Sequence, residues 1–456
     1  MRPYATVNPV NGHRVREYPT LPDAAVDTVL DGAHRAFHSW RNVGLDTRAD
    51  ILRRVAAIHR ERAQELASIL TLEMGKPITQ ALGEVALVAS IYDYYADNAA
   101  KFLADEVLDI AGGGEAIVRT EPIGVLVGIM PWNYPYYQVA RFAAPNLILG
   151  NTVILKHARN CPQSALAIER VLLEAGLPTG AYTNVFATSA QISTMIADPR
   201  VQGVSLTGSE QAGSAVGEIA GRHMKKYVLE LGGSDPFIVL GDANLDAAAT
   251  AAVVGRMNNA GQACTASKRF IVVDEVFDNF IRRFVEAMRD YPVGDPTDPE
   301  TRLGPLASED TRSDLATLVD EAVEQGAQVL VGGAPLEGDG SYYPATVLTG
   351  VTPQMRAYHE ELFGPVAVVY RARDAEDAIR LANDSPFGLA STVFSSDIAA
   401  AKKIATRLDT GMVWINSTSR SAPDLPFGGV KRSGVGRELA KFGINEFANK
   451  KLVRTP

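Results

Sequence analysis

Short runs of apolar residues alternate with helical spacing along most of the chain. A first series comprises VLVGIM (125–130), TVILK (152–156), TNVFA (183–187) and GVSLTG (203–208). A second series comprises PFIVL (236–240), RFIVV (269–273), QVLVGG (328–333), PVAVVY (365–370) and MVWIN (412–416). Apolar spacing typical of helices separates these runs, as in residues 163–174. This alternation predicts an α/β protein with two mostly parallel sheets, each covered by helices and each in its own domain.

Two segments depart from this rhythm. Residues 105–120 place alternating strand patterns on both sides of a triple-glycine turn, which predicts a projecting β-hairpin. Residues 450–455, KKLVRT, form a strand pattern that needs a partner strand for its backbone. Elsewhere, residues 47–70 have the spacing of an amphipathic helix lying on a core.

These patterns predict the limits of the domains. The first domain comprises residues 1–104 and 121–231, and the second comprises residues 232–430. The hairpin at 105–120 and the terminal segment 431–456 belong to neither domain, and their strand edges favour contact with another subunit. We therefore expect a homodimer or homotetramer.

Composition narrows the class of protein. The chain has 456 residues, 46% of them hydrophobic and 21% charged, which is typical of a globular protein with a large core. Its formal net charge of −9 disfavours nucleic-acid binding. The longest apolar stretch, residues 123–130, is too short to span a membrane. The polar start of the chain and a content of two cysteines favour the reducing cytoplasm.

Several common chemistries lack their motifs. The chain contains no G-x-S-x-G, no G-x4-G-K-[ST] and no H-E-x-x-H. His34 and His38 share a helix spacing but have no third ligand nearby in sequence, so no metal site is predicted. Cys161, before a proline in a turn-like segment, is interpreted as a small buried residue.

Cys264 is a stronger candidate for chemistry. It lies in NNAGQACTASK, where small and amide residues allow a substrate to approach, and a thiol is a strong nucleophile. Glu230 ends an apolar strand and precedes two glycines, so burial there would raise its pKa towards that of a general base. Asn133, in MPWNYP, has an amide that could donate to an oxyanion. Each also has a simple structural interpretation: buried filler, a carboxylate bound to backbone N–H groups, and a turn residue.

A phosphate site is also indicated, although the pattern is incomplete. In GVSLTGSEQAG a strand leads into Gly208 and then into a helix whose N-terminus could hold a phosphate. The segment matches the dinucleotide-binding glycine fingerprint only in part.

Taken together, these motifs resemble the aldehyde dehydrogenase superfamily over essentially the whole chain. The matching stretches are PWNYP (131–135), LKHA (155–158), LTGS (206–209), LELGGSDP (229–236), NNAGQAC (258–264), EELFGPV (360–366) and LPFGGVKRSGVGREL (425–439). Within the superfamily, the chain looks most like the succinate-semialdehyde dehydrogenase-like branch. The resemblance implies a Rossmann-type cofactor domain, a catalytic domain and an oligomerisation hairpin.

The resemblance also implies roles for single residues. Cys264 would be the nucleophile, Glu230 the base, and Asn133 an oxyanion donor together with the Cys264 N–H. The nicotinamide cofactor would accept hydride from the thiohemiacetal, and water activated by Glu230 would hydrolyse the thioester. Residues carried over to the cofactor site are Lys156 and Glu361 at ribose hydroxyls, Ser209 near the pyrophosphate, and Trp132, Thr207, Gly208 and Phe363 beside them.

One departure from the family bears on the choice of cofactor. Where relatives that prefer NAD often carry an acidic residue, this chain has Arg159, three positions after Lys156. A carboxylate there would repel a 2′-phosphate, whereas Arg159 and Lys156 could bind one. The cofactor is therefore NADP or NAD, with NADP favoured.

The substrate prediction depends on Arg141, eight residues after Asn133. On a helix this spacing is a little over two turns, which would place both residues near one face, beside Tyr134 and Tyr137. A guanidinium suits a carboxylate, and the related branch places a carboxylate-binding Arg at this offset. Some of those enzymes carry a second Arg where this chain has Asn258, and Arg420 is the candidate to replace it. The predicted substrate is succinate semialdehyde or a related short semialdehyde.

Four alternatives stay open at this point. Arg141 could instead pair with a structural acid. The substrate could be a neutral aliphatic or aromatic aldehyde. Cys264 and Glu230 could serve a cofactor-independent esterase, or the chain could be a non-catalytic scaffold.

Overall fold

The computed structural model describes residues 3–456, which form an α/β fold of twenty strands and fifteen α-helices. The strands are β1 (Tyr4–Val7), β2 (Arg14–Tyr18), β3 (Glu106–Val107), β4 (Glu115–Pro122), β5 (Val125–Met130), β6 (Thr152–His157), β7 (Tyr182–Asn184), β8 (Val201–Thr207), β9 (Lys226–Glu230), β10 (Asp235–Val239), β11 (Ser267–Val273), β12 (Gln328–Val331), β13 (Thr346–Thr349), β14 (Val366–Ala372), β15 (Phe387–Gly388), β16 (Ala390–Phe394), β17 (Met412–Ile415), β18 (Val430–Lys431), β19 (Gly434–Val435) and β20 (Ala448–Thr455). The helices are α1 (Val26–Trp40), α2 (Leu45–Glu61), α3 (Ala63–Met74), α4 (Ile78–Phe102), α5 (Pro135–Leu149), α6 (Pro162–Glu174), α7 (Ser189–Ala197), α8 (Glu210–Arg222), α9 (Leu245–Met257), α10 (Asp274–Arg289), α11 (Glu309–Glu324), α12 (Arg356–His359), α13 (Ala375–Asn383), α14 (Ile398–Ala405) and α15 (Phe442–Glu446).

The first series of apolar runs forms a six-stranded sheet in the order β19-β9-β8-β5-β6-β7. Strands β5 to β9 are parallel, so their carboxyl ends lie along one edge. The chain moves outward from β5 to β6 and β7, and then returns to place β8 on the other side of β5. This reversal is the kind of position where open α/β sheets bind ligands.

The second series forms a seven-stranded sheet in the order β12-β13-β14-β11-β10-β16-β17. All of its neighbouring strands are parallel except the edge pair β12 and β13. Strands β13 and β16 were not predicted. Strand β16, ASTVF, is buried along its whole length, including Ser391 and Thr392. These two polar residues interrupt the apolar run that would have predicted a buried strand.

The predicted hairpin and the C-terminal strand pair with each other. Strand β20 runs antiparallel to β4 from Ala448 opposite Pro122 to Thr455 opposite Glu115, and β3 covers the other edge of β4. The partner that the terminal strand needs is therefore supplied by the same chain. The outer edge of β20 has no neighbouring strand among residues 3–456.

Two local predictions need correction. The pattern at 47–70 is not one helix, because the backbone leaves the helical region at Arg62, with φ −109° and ψ 25°, and separates α2 from α3. Both helices pack on α4, so the break lets two shorter segments follow one long helix. The short strand β19 lies in the segment assigned to the tail but joins the six-stranded sheet through β9. The predicted domain limits stay predictions.

Apolar side chains fill separate cores around the two sheets. The helices of residues 3–456 include none with the length and apolar character needed to cross a membrane.

Candidate active site

Cys264 lies on the wall of a cavity of about 450 Å³. It follows a 3-10 turn, Asn258–Gly261, and precedes β11 of the seven-stranded sheet. Asn259 and Ala260 in that turn both have φ 54°, which is uncommon for residues other than glycine and is often found at functional sites. The predicted substrate residues Tyr134, Tyr137 and Arg420 line the same cavity.

Asn133 follows β5 of the other sheet and meets the Cys264 segment from the opposite side. Its Nδ2 donates to the carbonyl oxygen of Gln262 at 3.0 Å, two residues before the thiol. The amide has a second N–H, and that N–H has no acceptor among residues 3–456. The structure therefore brings the proposed oxyanion donor to the nucleophile segment with one donor free.

Glu230 is the last residue of β9 and is buried. Neither carboxylate oxygen has a hydrogen-bond partner among the described residues. Burial raises the pKa of Glu230 well above its usual value, and the Arg141 charge opposes this rise. Three residues further on, a Cβ at Gly233 would lie 2.6 Å from the carbonyl oxygen of Cys264, so this segment touches the nucleophile segment. The segments that carry Asn133 and Glu230, from the six-stranded sheet, thus both contact the segment of Cys264.

Burial and four neighbouring charges act on the thiol pKa of Cys264. Burial raises its pKa to about 12, while the charges of Arg141 and Lys268 lower it and those of Glu361 and Asp235 raise it. Attack on a carbonyl requires the thiolate. The cations that face Cys264 are therefore part of the site's chemistry.

Lys268 was missed by sequence reasoning. Its Nζ donates to the carbonyl oxygens of Ala263 at 3.0 Å, Cys264 at 2.9 Å and Ala266 at 3.2 Å. It also pairs with Glu361 at 2.9 Å. One buried ammonium thus holds the turn that carries the nucleophile. The sequence did contain an indication of this role: in TASKRF a lysine precedes the apolar run of β11, a strand that is buried along its whole length.

Arg141 is placed differently from our expectation. Its side chain is fully buried, pairs with Glu438, and donates to the hydroxyl of Thr207 at 3.0 Å and that of Tyr137 at 3.4 Å. It does not line the cavity. Burial of a guanidinium requires a charged partner, and Glu438 from the C-terminal segment provides it. Of the two interpretations that the sequence allowed, the pairing with an internal acid is the one observed.

The carboxyl edge of the six-stranded sheet gathers the predicted cofactor residues. Lys156 lies near the end of β6, and Arg159 follows in the turn to α6. Burial and the neighbouring Arg159 charge lower the pKa of Lys156 to about 8. Arg159 stacks over the ring of Tyr4, with 5.1 Å to its centroid. The repulsion between these two cations would be relieved by an anion bound between them.

The other cofactor candidates surround this edge. Ser209 is the N-cap of α8, just after Gly208 and the end of β8. The rings of Trp132 and Phe363 meet edge to face at 5.6 Å. Glu361 accepts from the Gly233 N–H at 3.1 Å in addition to pairing with Lys268. The hydroxyl of Thr207, at the end of β8, accepts from Arg141.

The histidine pair predicted to be without a metal role lies outside this site. His34 and His38 are on α1, with their Nε2 atoms 3.2 Å apart. Cys161 is fully buried and Cys264 is half-buried, and both thiols are free.

The family assignment follows from the whole chain. Residues 2–453 match the model of the aldehyde dehydrogenase family, and the chain belongs to that family. It is an aldehyde dehydrogenase, and the α/β fold predicted from sequence is confirmed.

Particular relatives are more informative still. The chain is 56% identical to a succinate-semialdehyde dehydrogenase [NADP(+)] of Deinococcus radiodurans over 99% of this chain and 95% of the relative. It is 47% identical to a protein of the same name, numbered 1, from Mycobacterium ulcerans, over 99% of each chain. A crystal structure of succinic semialdehyde dehydrogenase from Streptococcus pyogenes in complex with NADP+ superposes with a TM-score of 0.97 at 42% identity, covering 99% of this chain and 100% of the other.

Proposed function

We propose that this protein oxidises succinate semialdehyde to succinate with NADP+. The main support is the likeness over nearly the full length, at 56% identity, to a relative named for that activity. The cavity supports the same reaction, because Cys264 and the cation Arg420 both line it. A short aldehyde with a distal carboxylate matches that pair of groups.

The proposed reaction begins at Cys264. Its thiolate attacks the aldehyde carbon, and the carbonyl electron pair moves to oxygen, where Asn133 Nδ2 and the Cys264 N–H donate to it. Arg141 and Lys268, which lower the thiol pKa, stabilise the thiolate before attack. The bound cofactor supplies the hydride acceptor that turns the adduct into a thioester. Glu230 then takes a proton from water while the water oxygen attacks the thioester carbon. The C–S bond breaks, succinate is released, and Cys264 leaves as the thiolate.

The residues at the carboxyl edge of the first sheet fit NADP+. Lys156 and Arg159 are adjacent cations, and no described residue accepts a hydrogen bond from the Lys156 ammonium. They would hold the adenosine 2′-phosphate and ribose. The N-terminus of α8, capped by Ser209, would receive the pyrophosphate. Glu361 would serve the nicotinamide ribose, while Trp132, Phe363, Thr207 and Gly208 would form the surrounding wall.

For the substrate carboxylate we propose Arg420. Its side chain is exposed at the cavity, whereas Arg141 is already neutralised by Glu438. Arg141 would then not contact the substrate, and its charge would lower the pKa values of Cys264 and Glu230. Tyr134 and Tyr137 would line the path between the carboxylate and the thiol.

The assay that tests this function compares succinate semialdehyde with butyraldehyde, each with NADP+ and NAD+, by absorbance at 340 nm. We expect the highest kcat/KM for succinate semialdehyde with NADP+. Cys264→Ala should abolish oxidation and keep NADP+ binding. Turnover without cofactor would instead favour an esterase, and a preference for butyraldehyde would refute the substrate.

Three variants test separate parts of this proposal. Arg420→Ala should raise KM for succinate semialdehyde tenfold or more, the order expected from losing about 1.5–3 kcal/mol, and leave KM for butyraldehyde unaffected.

Arg159→Glu should shift the ratio of kcat/KM with NADP+ to kcat/KM with NAD+ towards NAD+. Arg141→Ala, in contrast, should harm both aldehydes because it leaves Glu438 buried without its partner.

We also propose a homodimer or homotetramer located in the cytoplasm. The open edge of β20 and the exposed side chains of Leu452 and Val107 on the same three-stranded sheet support assembly. The two free thiols fit a reducing compartment.

A further inference from the structure

A buried ion pair beside the substrate cavity has no role in the reaction described above. Lys76 follows α3, and Glu84 lies in the second turn of α4. The two side chains are fully buried and pair with each other. Both residues contribute to the cavity wall beside Tyr134.

Lys76 holds the main chain at Asn133. Its Nζ donates to the carbonyl oxygen of Asn133 at 2.9 Å and lies 3.7 Å from the centroid of the Tyr134 ring. An ammonium has three N–H donors. The Lys76 ammonium interacts with three groups: the Glu84 carboxylate, the Asn133 carbonyl oxygen and the face of the Tyr134 ring.

Glu84 holds the chain on the other side of the same short segment. Its Oε1 accepts from the N–H of Tyr136 at 2.9 Å and from that of Tyr137 at 3.1 Å. These donors belong to the first turn of α5, which begins at Pro135. The ion pair therefore holds the backbone at Asn133 itself and again at Tyr136 and Tyr137, three and four residues later.

Stability alone does not account for this arrangement. A buried ion pair is costly to desolvate, and apolar side chains of similar size often stabilise a fold as well or better. Here both charged groups form hydrogen bonds with the backbone of the same five-residue segment, 133–137. Placement of a catalytic donor is sensitive to displacements of about 1 Å.

We propose that the Lys76–Glu84 ion pair positions Asn133, so that the free N–H of its amide is aimed at the oxygen of the thiohemiacetal. Lys76 and Glu84 are thus positioning residues for the oxyanion site, although neither touches the reacting atoms. The inference rests on the proposed role of Asn133 as the oxyanion donor. It predicts that removing the ion pair lowers kcat only when the Asn133 side chain is present.

The test is a double-mutant cycle on kcat. The variant Lys76→Met with Glu84→Gln removes both charges, keeps the approximate side-chain volumes, and leaves an amide oxygen to accept from Tyr136 and Tyr137. It is made in the wild-type protein and in Asn133→Ala. We expect kcat for succinate semialdehyde to fall at least tenfold in the wild-type background, with KM for NADP+ changed less than twofold. In the Asn133→Ala background the same change should alter kcat less than twofold.

Glu73→Gln is the matched control. Glu73 is also a buried carboxyl, but it accepts from the N–H groups of Gln163 and Ser164 at the start of α6. This variant should lower the melting temperature and leave kcat within twofold. If the double variant does not fold, Glu84→Gln alone is used in the same cycle, because it keeps the helix acceptor.

The outcomes separate the two proposals. An equal fold-loss of kcat in both backgrounds, or an unchanged kcat in the wild-type background, overturns the positioning role while leaving Asn133 as the oxyanion donor. If Asn133→Ala itself leaves kcat unchanged, the oxyanion assignment fails, and the positioning role fails with it. A rise in KM for succinate semialdehyde with kcat unchanged would make Lys76 a substrate contact instead.

Discussion

Cys264 and Glu230 carry pKa values that burial raises, and a single cation moderates both. Arg141 is the strongest charge that lowers the pKa of each. Its partner Glu438 raises the pKa of Glu230. Of these four side chains only Cys264 lines the cavity, so the reactivity of the site depends on buried charges outside the cavity wall.

Glu230→Gln should separate the two halves of the reaction. Hydride transfer precedes thioester hydrolysis, and only the second step needs an ionised base at this position. We expect a pre-steady-state burst of NADPH of about one equivalent per site, followed by slow turnover. A variant with normal folding and no burst would contradict this division of roles.

Glu438→Gln should shift the acid limb of the pH profile. In the proposed reaction the carboxylate form of Glu230 is the active base, and the Glu438 charge raises its pKa. Removing that charge lowers the pKa, so the base stays ionised at lower pH. We expect the acid limb of kcat to move to lower pH, provided that hydrolysis limits turnover. A shift to higher pH would show that Glu438 acts on Glu230 in another way.

At the scale of elements, the loop that contains Gly428 packs very closely against Glu230 at the end of strand β9. Gly428, in the loop after β17, has φ +149°. A Cβ there would lie 2.8 Å from Glu230 Oε1 and 2.8 Å from the carbonyl oxygen of Gly436. The loop thus closes over the base at the end of β9, and only glycine fits the contact.

Gly428→Ala should therefore displace Glu230. We expect a lower rate of thioester hydrolysis with the burst retained, and a loss of stability of about 1–3 kcal/mol from backbone strain. Gly338→Ala is the control, because Gly338 has φ +110° and nothing within 4 Å of its Cβ position. That variant should lose stability and keep normal turnover. Equal kinetics in the two variants would remove the argument for close approach.

At the scale of the whole molecule, strands β20, β4 and β3 form a surface sheet separate from the two large sheets. Strand β20 has an open edge, and Leu452 on it is 61% exposed. An exposed apolar strand edge favours pairing with another chain.

Leu452→Glu should weaken the proposed oligomer. Light scattering at micromolar concentration should give a dimer or tetramer for the wild type and a smaller mass for the variant. Leu336→Glu, at an exposed apolar side chain in a loop, is the control and should keep the wild-type mass. A monomeric wild type would refute the assembly.

The sequence by itself determined the alternation of strands and helices, because buried parallel strands require continuous apolar runs such as Val125–Met130. Local motifs likewise marked Cys264, Glu230 and Asn133, whose chemistry is set by residue type and by the glycines and small residues beside them. The partner of Arg141 was decided only in three dimensions, since Glu438 is 297 residues away along the chain (438 − 141). The same holds for the Lys268 and Lys76 contacts. A buried charge must find an acceptor wherever packing brings one, and no spacing along the chain encodes which acceptor that will be.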